Sequence, residues 1–358
     1  MNPPPLSHCA LAARDLALLG RGGFRDVGDV EGLSVADFGA ALKVGEAEAS
    51  RLLEEVRASG RAAPRQVSAR ELLAASASLV PVVTFCRSLD DALGGGVAPR
   101  TVVEVVGAPG TGKTQLCLQV CVDAAIPVEF HGPGGGAVYV DADGSFSPER
   151  CAAIAREMVR HVKRLARRKR PREGREAPAE TPGEAAARAA AAKLDVDAVL
   201  EGITVFRALD HADVFHALAR AEALCADGGC KVLVVDSVAA HLRSLDVDVG
   251  GRARLLARLS LDLAAIANRH DVAVLVTNQL TTKLHAGNQV LPALGEAWSH
   301  APDLRVLLHA DERQGADGVP RRTATFLKSP HHPPSHAVPF AIDARGVRDP
   351  PKPPRPPP

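Results

Sequence analysis

Residues 107–114 read GAPGTGKT and form a complete GxxxxGK[ST] phosphate-binding motif. The motif follows the apolar run TVVEVV and precedes QLCLQV, so it predicts a loop between a strand and a helix. Backbone N–H groups of such a loop surround phosphate oxygens, and the helix N-terminus adds partial positive charge. Lys113 would reach the β- and γ-phosphates, and the Thr114 hydroxyl would bind Mg²⁺. A fortuitous glycine-rich turn is the alternative, which these flanking elements disfavour. The predicted nucleotide-binding residues are Gly107, Ala108, Pro109, Gly110, Thr111, Gly112, Lys113, Thr114 and Gln115.

Acidic and amide side chains follow three further apolar runs. Asp236 ends KVLVVD, the position at which a second acid would hold Mg²⁺. Taken alone, an aspartate after a strand is a helix cap about as often as it is a metal ligand. VYVDADGSF ends its run with Asp141 and Asp143, and an acid there can polarise the water that attacks a γ-phosphate. VAVLVTNQ ends with Asn278 and Gln279, which are suited to sensing that phosphate. Because open α/β sheets bind ligands at the carboxyl ends of their strands, these side chains are predicted to converge on one nucleotide.

The elements that must position these residues alternate between strand and helix patterns from about residue 80 onward. Near-continuous Val, Ile and Leu runs predict an α/β fold, with a mostly parallel sheet covered by helices on both faces and an antiparallel edge at its end. The predicted strands are TVVEVV, AVYVD, ITVFRAL, KVLVVD, VAVLVTN, LRVLLHA, TATFLK and VPFAID.

Changes in composition predict the domain organisation. Residues 1–58 would form a small helical domain, 59–80 a linker, 81–349 the α/β core and 350–358 an extended Pro-rich tail. Within the core, 163–183 is predicted to be a basic and disordered insertion. Its run KRLARRKRPREGR, residues 163–175, is consistent with a solvated loop, a nuclear import signal or an auxiliary DNA contact.

The charge and the cysteine content limit the possible classes of function. The chain has 358 residues and a formal net charge of +1, so any contact with nucleic acid must depend on local patches. Seven cysteines without a CxxC pair indicate reduced, mostly buried thiols in an intracellular protein. Apolar runs fall short of a membrane span and no targeting leader is evident, so we expect no membrane partner.

Together these motifs resemble those of the RecA/Rad recombinase family, and most closely its eukaryotic C-type paralogues. The resemblance spans about residues 81–349 and rests on TFCRSLDDALGGGV, GAPGTGKTQLCLQ, DADGSFSPER, LVVDS, TNQLTTK and PALGEAWSH. It implies a RecA-like P-loop ATPase core that uses ATP and Mg²⁺, and a helix-hairpin-helix-like N-terminal domain.

The resemblance also implies roles for individual residues. The catalytic set would be Lys113, Asp143, Asp236 and Gln279, with Thr114 and Asp236 as metal ligands. Arg150 would pack on adenine, and His300 and Lys328 would contact the nucleotide of a neighbouring subunit. Two segments of this chain align with the family's two mobile DNA-binding loops, although such segments, taken alone, are more often connecting loops without a binding role. They carry Arg243, Arg252, Arg254, Thr282 and Lys283. These segments lack stacking aromatics, so we expect contact with DNA phosphates independent of sequence.

Two departures from the family pattern alter the expectation. Asp143 stands where the family has Glu, and the shorter aspartate side chain withdraws the carboxylate by about 1.5 Å. Misplacement of a catalytic group by about 1 Å can lower the rate about a hundredfold. The linker lacks the Phe-x-x-Ala plug by which family members polymerise, since no Phe lies between Phe38 and Phe85. We therefore expect tight ATP binding, slow hydrolysis and hetero-oligomers in place of long homofilaments.

The expected function is that of a DNA-dependent ATPase in homologous recombination repair of double-strand breaks, in meiotic recombination and in Holliday-junction processing. Its expected partners are single-stranded and branched DNA, other recombinase paralogues and the main recombinase, in the nucleus with a cytoplasmic pool. An ATP-cemented assembly scaffold without required hydrolysis is the alternative. A small-molecule kinase is disfavoured because no lid with phosphate-gripping arginines is evident in the sequence.

Overall fold

The computed structural model of the protein describes residues 6, 11, 13–30, 32–59, 67–167, 181–242, 248–283, 289–314 and 320–351. The chain divides into two compact units, Met1–Ser76 and Ala77–Pro358. The tail predicted to be extended lies, from residue 352 on, outside the described residues, as does the 168–180 part of the predicted insertion.

The first unit is helical and has its own apolar core. Its helices are α1 (Ala13–Arg21), α2 (Val35–Leu42), α3 (Glu46–Ser59) and all but the last residue of α4 (Ala69–Ala77), with a 3₁₀ turn at Val27–Val30. The Ser34 Oγ accepts a hydrogen bond from the Asp37 backbone N–H and so caps α2, which ends at Lys43 in the left-handed conformation. Leu19 and Phe38 are fully buried in the core formed by α1, α2, α3 and the 3₁₀ turn, to which α4 contributes no buried residue.

The second unit alternates strands and helices along the chain. Its elements are α5 (Arg87–Ala92), β1 (Val102–Gly107), α6 (Lys113–Asp123), β2 (Gly136–Asp141), α7 (Pro148–Leu165), α8 (Pro182–Lys193), α9 (Val196–Glu201), β3 (Ile203–Arg207), α10 (His211–Ala226), β4 (Cys230–Asp236), α11 (Ala239–Leu242), α12 (Val249–His270), β5 (Ala273–Asn278), β6 (Leu280–Lys283), β7 (Gln289–Pro292), α13 (Gly295–Ser299), β8 (Leu304–Gln314), β9 (Pro320–Lys328), β10 (His336–Asp343) and β11 (Gly346–Arg348).

Nine of these strands form one sheet in the order β11-β10-β9-β8-β1-β5-β4-β2-β3. The strands from β8 to β3 in this order are parallel neighbours, whereas β9, β10 and β11 extend the sheet by antiparallel pairing. Two apolar clusters cover the sheet: α6 and α7 contribute to one, and α10 and α12 to the other. β6 and β7 pair separately as a hairpin. The predicted α/β fold, mostly parallel with an antiparallel edge, is confirmed.

The structure differs from the predicted boundaries in two places. α4 occupies residues 69–77 within the segment expected to be a linker, because Ser68 caps it by accepting from the Glu71 backbone N–H at 3.2 Å. The insertion predicted at 163–183 is helical at both ends: α7 continues to Leu165, and α8 begins at Pro182 behind a capping box of Thr181 and Glu184. A basic or Pro-rich composition therefore did not prevent helix formation where a cap was present.

Two expectations from composition concern the thiols and the membrane. The described cysteines are all free and buried, as predicted: Cys86, Cys117, Cys121, Cys151, Cys225 and Cys230. No helix among the described residues combines the length and apolar character that crossing a bilayer requires.

Asp90 on α5 makes the stability of the second unit depend on pH. Its Oδ1 accepts from the Thr84 backbone N–H and hydroxyl, both at 2.8 Å, and burial raises its pKa to about 6. Because this pKa lies above the value of about 4 in unfolded chains, the favourable contribution is complete below about pH 4 and is lost as the pH rises through 6.

We expect Asp90→Asn, which keeps the accepting oxygen but cannot ionise, to remove this dependence. The free energy of unfolding of the unmodified protein, measured by urea titration, should fall relative to that of the variant by an order of 2 kcal/mol between about pH 4 and 7. A constant difference between the two proteins over this range would contradict the assignment.

Candidate active site

The GAPGTGKT loop connects β1 to α6 at the carboxyl end of β1. Gly110 and Gly112 adopt positive φ values of 79° and 109°, which a side chain would strain. A β-carbon on Gly107 would lie 2.5 Å from Thr111 Oγ1 and 2.8 Å from the Leu308 carbonyl oxygen, so only glycine fits there. The loop backbone is thus shaped for close approach by a ligand.

Lys113, at the first position of α6, folds back over this loop. Its Nζ donates to the carbonyl oxygens of Gly107 at 2.8 Å and Ala108 at 3.1 Å. Partial burial lowers the pKa of Lys113, while the carboxylates of Asp236 and Asp143 oppose that shift. The ammonium group therefore lies on the loop surface with acids facing it.

Asp236, the last residue of β4, accepts hydrogen bonds from four hydroxyl groups. Oδ2 receives them from Tyr139 at 2.6 Å, Thr114 at 2.7 Å and Ser145 at 3.2 Å, and Oδ1 from Thr277. The carboxylate is 2% exposed, so these donors compensate for most of its lost hydration.

The oxygen atoms around Asp236 are suitable ligands for a magnesium ion. Mg²⁺ is bound in proteins by oxygen ligands, often one carboxylate together with hydroxyl, water and phosphate oxygens. The Thr114 hydroxyl and the Asp236 carboxylate lie beside each other next to the phosphate-binding loop. These are the two ligands that the sequence predicted.

Asp141 and Asp143 follow β2 but differ in their surroundings. Asp141 is buried and accepts from the backbone N–H groups of Ser145 at 2.9 Å and Phe146 at 3.4 Å, while Arg207 pairs with it at 3.4 Å. Asp141 therefore holds the turn, and Asp143 remains the candidate for the acid that polarises water. Asp143 is exposed, and burial of part of its carboxyl raises its pKa, as do Asp236 and Asp141.

A buried network around Glu104 was missed by the sequence interpretation. Glu104 lies in the middle of β1 and is fully buried. It accepts from Asn278 Nδ2 at 2.7 Å, Trp298 Nε1 at 2.8 Å and Arg305 Nε at 2.5 Å. A charged residue inside the valine run VVEVV was the available signal, since a buried carboxylate requires a partner.

This network removes Asn278 from the set of candidate phosphate sensors. Its Nδ2 also donates to the Ala293 carbonyl oxygen at 2.8 Å, and its Oδ1 accepts from the Gln279 backbone N–H at 2.8 Å. The amide is therefore fully used within the protein. Gln279, half-buried, follows at the start of the β6–β7 hairpin, and its carbonyl oxygen accepts from the Ala293 N–H at 2.8 Å.

The residues predicted to contact the base and a neighbouring subunit form hydrogen bonds with groups other than Asp236. Arg150 donates to Gln115 Oε1 at 2.6 Å and to the carbonyl oxygens of Asp343 and Ala344, which places it beside the first turn of α6. Lys328 Nζ donates to the carbonyl oxygens of His300 and Pro302 at 3.1 and 2.6 Å, so the two predicted subunit contacts are adjacent.

The structure brings together two segments predicted to bind DNA. Arg252 and Arg254 lie in the first turns of α12, and Thr282 and Lys283 lie on β6, whereas Arg243 falls outside the described residues. An open cavity of about 340 Å³ separates α12 from the hairpin. Its lining consists of Leu242, Arg252, Thr281, Ala293, Leu294 and Gly295.

Comparison with known proteins agrees with this geometry. The sequence model of the Rad51 family matches residues 75–163 and 181–350, which is most of the chain. The chain belongs to the Rad51 family. A role of the recombinase kind in DNA recombination and repair follows from this membership, and proteins of the Rad51 family are ATPases that use ATP with Mg²⁺.

Individual relatives of the Rad51 family extend over most of the chain. The DNA repair protein RAD51 homolog 3 of Cricetulus griseus is 32% identical over 91% of this chain and 87% of its own length. The protein of the same name from Dictyostelium discoideum is 30% identical over 75% of this chain and 65% of its own length. The DNA repair and recombination protein RadA of Metallosphaera sedula is 29% identical over 89% of this chain and 88% of its own length. The predicted resemblance is confirmed.

Tyr139→Phe isolates one of the hydroxyl donors to Asp236. The ring contact with Phe146, whose centroid is 4.9 Å away, would remain, so the change removes only the buried O–H. We expect the free energy of unfolding to fall by about 1 to 2 kcal/mol, because hydrogen bonds to charged groups lie in that range. Urea titration measures this difference, and equal stability of both proteins would show that the other three hydroxyls suffice.

Proposed function

We propose that the protein is an ATP- and DNA-binding recombinase paralogue that acts in homologous recombination repair of double-strand breaks. The observation that supports this most strongly is the pairing of Thr114 with Asp236 beside a complete phosphate-binding loop. In this proposal Lys113 contacts the β- and γ-phosphates, and Thr114 and Asp236 hold Mg²⁺. The ion, when bound, would neutralise charge that develops on the transferred phosphate.

Asp143 orients the attacking water in the proposed reaction, and Gln279 senses the γ-phosphate. The raised pKa of Asp143 favours this role, since a stronger base accepts a proton more readily, provided that the pH lies above that pKa. Aspartate reaches about 1.5 Å less far than glutamate, so turnover is slow. Gln279 lies directly between β5 and the β6–β7 hairpin, which allows the bound phosphate to influence the proposed DNA-binding segment.

The proposed DNA ligand is single-stranded or branched, and the proposed setting is a hetero-oligomer with other recombinase paralogues that assists the main recombinase. Support comes from the cavity between α12 and the hairpin and from the lack of a Phe-x-x-Ala plug in the linker. Arg150 is proposed to contact adenine, and His300 and Lys328 a neighbour's nucleotide. Meiotic recombination, Holliday-junction processing and a nuclear location with a cytoplasmic pool belong to the same proposal.

The second candidate function is an assembly scaffold that bound ATP stabilises without any need for hydrolysis. The shorter reach of Asp143 favours this candidate. Both candidates require nucleotide binding, so Lys113→Ala should prevent complex formation in either case. Asp143→Ala should remove repair activity if hydrolysis is required, and should spare it if the protein acts only as a scaffold. Complementation of repair-deficient cells with these two variants separates the candidates.

Asp143→Glu tests the reach argument directly. Because glutamate extends the carboxylate toward the γ-phosphate, we expect turnover at saturating MgATP to rise, by up to about a hundredfold. The measurement is phosphate release with and without single-stranded DNA. Asp143→Asn serves as the control that keeps the short side chain but lacks the base. Unchanged turnover in Asp143→Glu would refute the argument.

Neutralising the proposed DNA contacts should lower the salt dependence of DNA binding. Removal of one cation that pairs with a phosphate reduces the slope of log affinity against log salt by about 0.7 for single strands. We expect the variant with Arg252, Arg254 and Lys283 all changed to Gln to show a slope smaller by about 2, measured by fluorescence anisotropy with an oligothymidine. Arg258→Gln, also on α12 but paired with Asp262 at 3.5 Å, is the control. An unaltered slope would exclude these segments.

A further inference from the structure

Arg322 lies next to the phosphate-binding loop, although it belongs to none of the sequence motifs. It is part of β9 and pairs with Ala310 of β8 and Phe340 of β10. A β-carbon built on Gly112 would lie 3.9 Å from Arg322 Nε, which brings the guanidinium to the last glycine of the loop. Ile342 of β10 lies against the same point.

The guanidinium of Arg322 is incompletely paired within the described part of the protein. Its NH1 group donates to the Pro320 carbonyl oxygen at 3.2 Å. Its Nε is buried and has no hydrogen-bond partner, and Arg322 takes part in none of the ion pairs among the described residues. A buried donor of a charged group without an acceptor is unfavourable, so the arrangement favours an anionic ligand.

The other cations at the site differ in this respect. Lys113 donates to two carbonyl oxygens, and Arg150 donates to Gln115 and two further carbonyl oxygens. Burial lowers the pKa of Arg322, and no carboxylate of the described residues offsets this effect. A guanidinium presents planar, paired donors that match phosphate oxygens.

We infer that Arg322 is a nucleotide-binding residue that donates hydrogen bonds to the α- and β-phosphates from the β9 side of the loop. The inference rests on the proposed function, because it places a nucleotide at this loop. The diphosphate is favoured over the γ-phosphate because the loop backbone around Gly112 surrounds the α- and β-phosphates. Lys113 and the metal ligands serve the γ-phosphate side.

A contact with the diphosphate is present in bound ATP and in bound ADP alike. Its removal should therefore weaken ATP and ADP binding by the same factor and raise KM. A contact with the γ-phosphate would instead lower kcat and leave ADP affinity unchanged. These two patterns make the assignment testable.

The experiment compares Arg322→Gln with Arg321→Gln in the full-length protein. Arg321 is the adjacent strand residue, is exposed and points to the opposite face of β9, so it is a matched control. Isothermal titration with MgADP and with the MgATP analogue ATPγS gives both dissociation constants, and steady-state phosphate release gives kcat and KM. We expect Arg322→Gln to raise both dissociation constants by about tenfold or more, in line with loss of a charged hydrogen bond. Arg321→Gln should leave both constants unchanged.

Arg322→Lys provides a second variant in case Arg322→Gln does not fold, which circular dichroism would reveal. Lysine keeps the charge but loses the paired donors. We therefore expect both dissociation constants to rise by the same factor, and this factor to be smaller than for Arg322→Gln. Unchanged affinities in the folded Arg322 variants would overturn the inference, as would a lower kcat with unchanged ADP affinity. Absence of nucleotide binding by the unmodified protein would instead refute the proposed function, and the inference with it.

Discussion

The carboxylate of Asp236 is the point on which the arrangement of the site depends. It is almost fully buried at the end of β4, and hydroxyl groups from α6, β2, β5 and the turn after β2 donate to it. An isolated buried carboxylate is strongly unfavourable, so each of these elements is held at a distance where its donor reaches. The same contacts align Thr114 with the acid, so the constraint that stabilises the fold also arranges two oxygen ligands beside the phosphate-binding loop.

Glu104 imposes a second constraint of the same kind two strands away. Its three donors come from β5, α13 and β8, and they fix Asn278 so that its backbone neighbour Gln279 leaves the sheet at a defined place. The hairpin is joined at that place, because Ala293 at its far end bonds both Asn278 and Gln279. Buried polar networks specify one geometry when every member is satisfied. Here the geometry links the strand before the phosphate-binding loop to the hairpin that carries Thr282 and Lys283.

The antiparallel strands have a structural role in the site beyond closing the sheet edge. β9 and β10 place Arg322 and Ile342 against Gly112, and the last residue of β10 and the turn after it supply the carbonyl oxygens that hold Arg150. The loop is thereby bordered on one side by acids from parallel strands and on the other by two arginines, Arg322 of β9 and Arg150 of α7, which the end of β10 holds in place. Such separation of charge suits an elongated ligand that carries both phosphates and a metal ion.

The sequence by itself determined the α/β class, eight of the eleven described strands, the phosphate-binding loop and the family. These follow from local information: apolar runs bounded by turn residues, and a motif of fixed spacing between a strand and a helix. The tertiary structure decided which polar residue after each strand is available. Asp141 and Asp143 are two positions apart, yet one is buried under Arg207 and two backbone N–H groups, and the other is exposed. Asn278, Glu104, Tyr139 and Arg322 gained their neighbours from residues distant in the chain, and side-chain pairing across a sheet depends on strand order, which no single segment encodes.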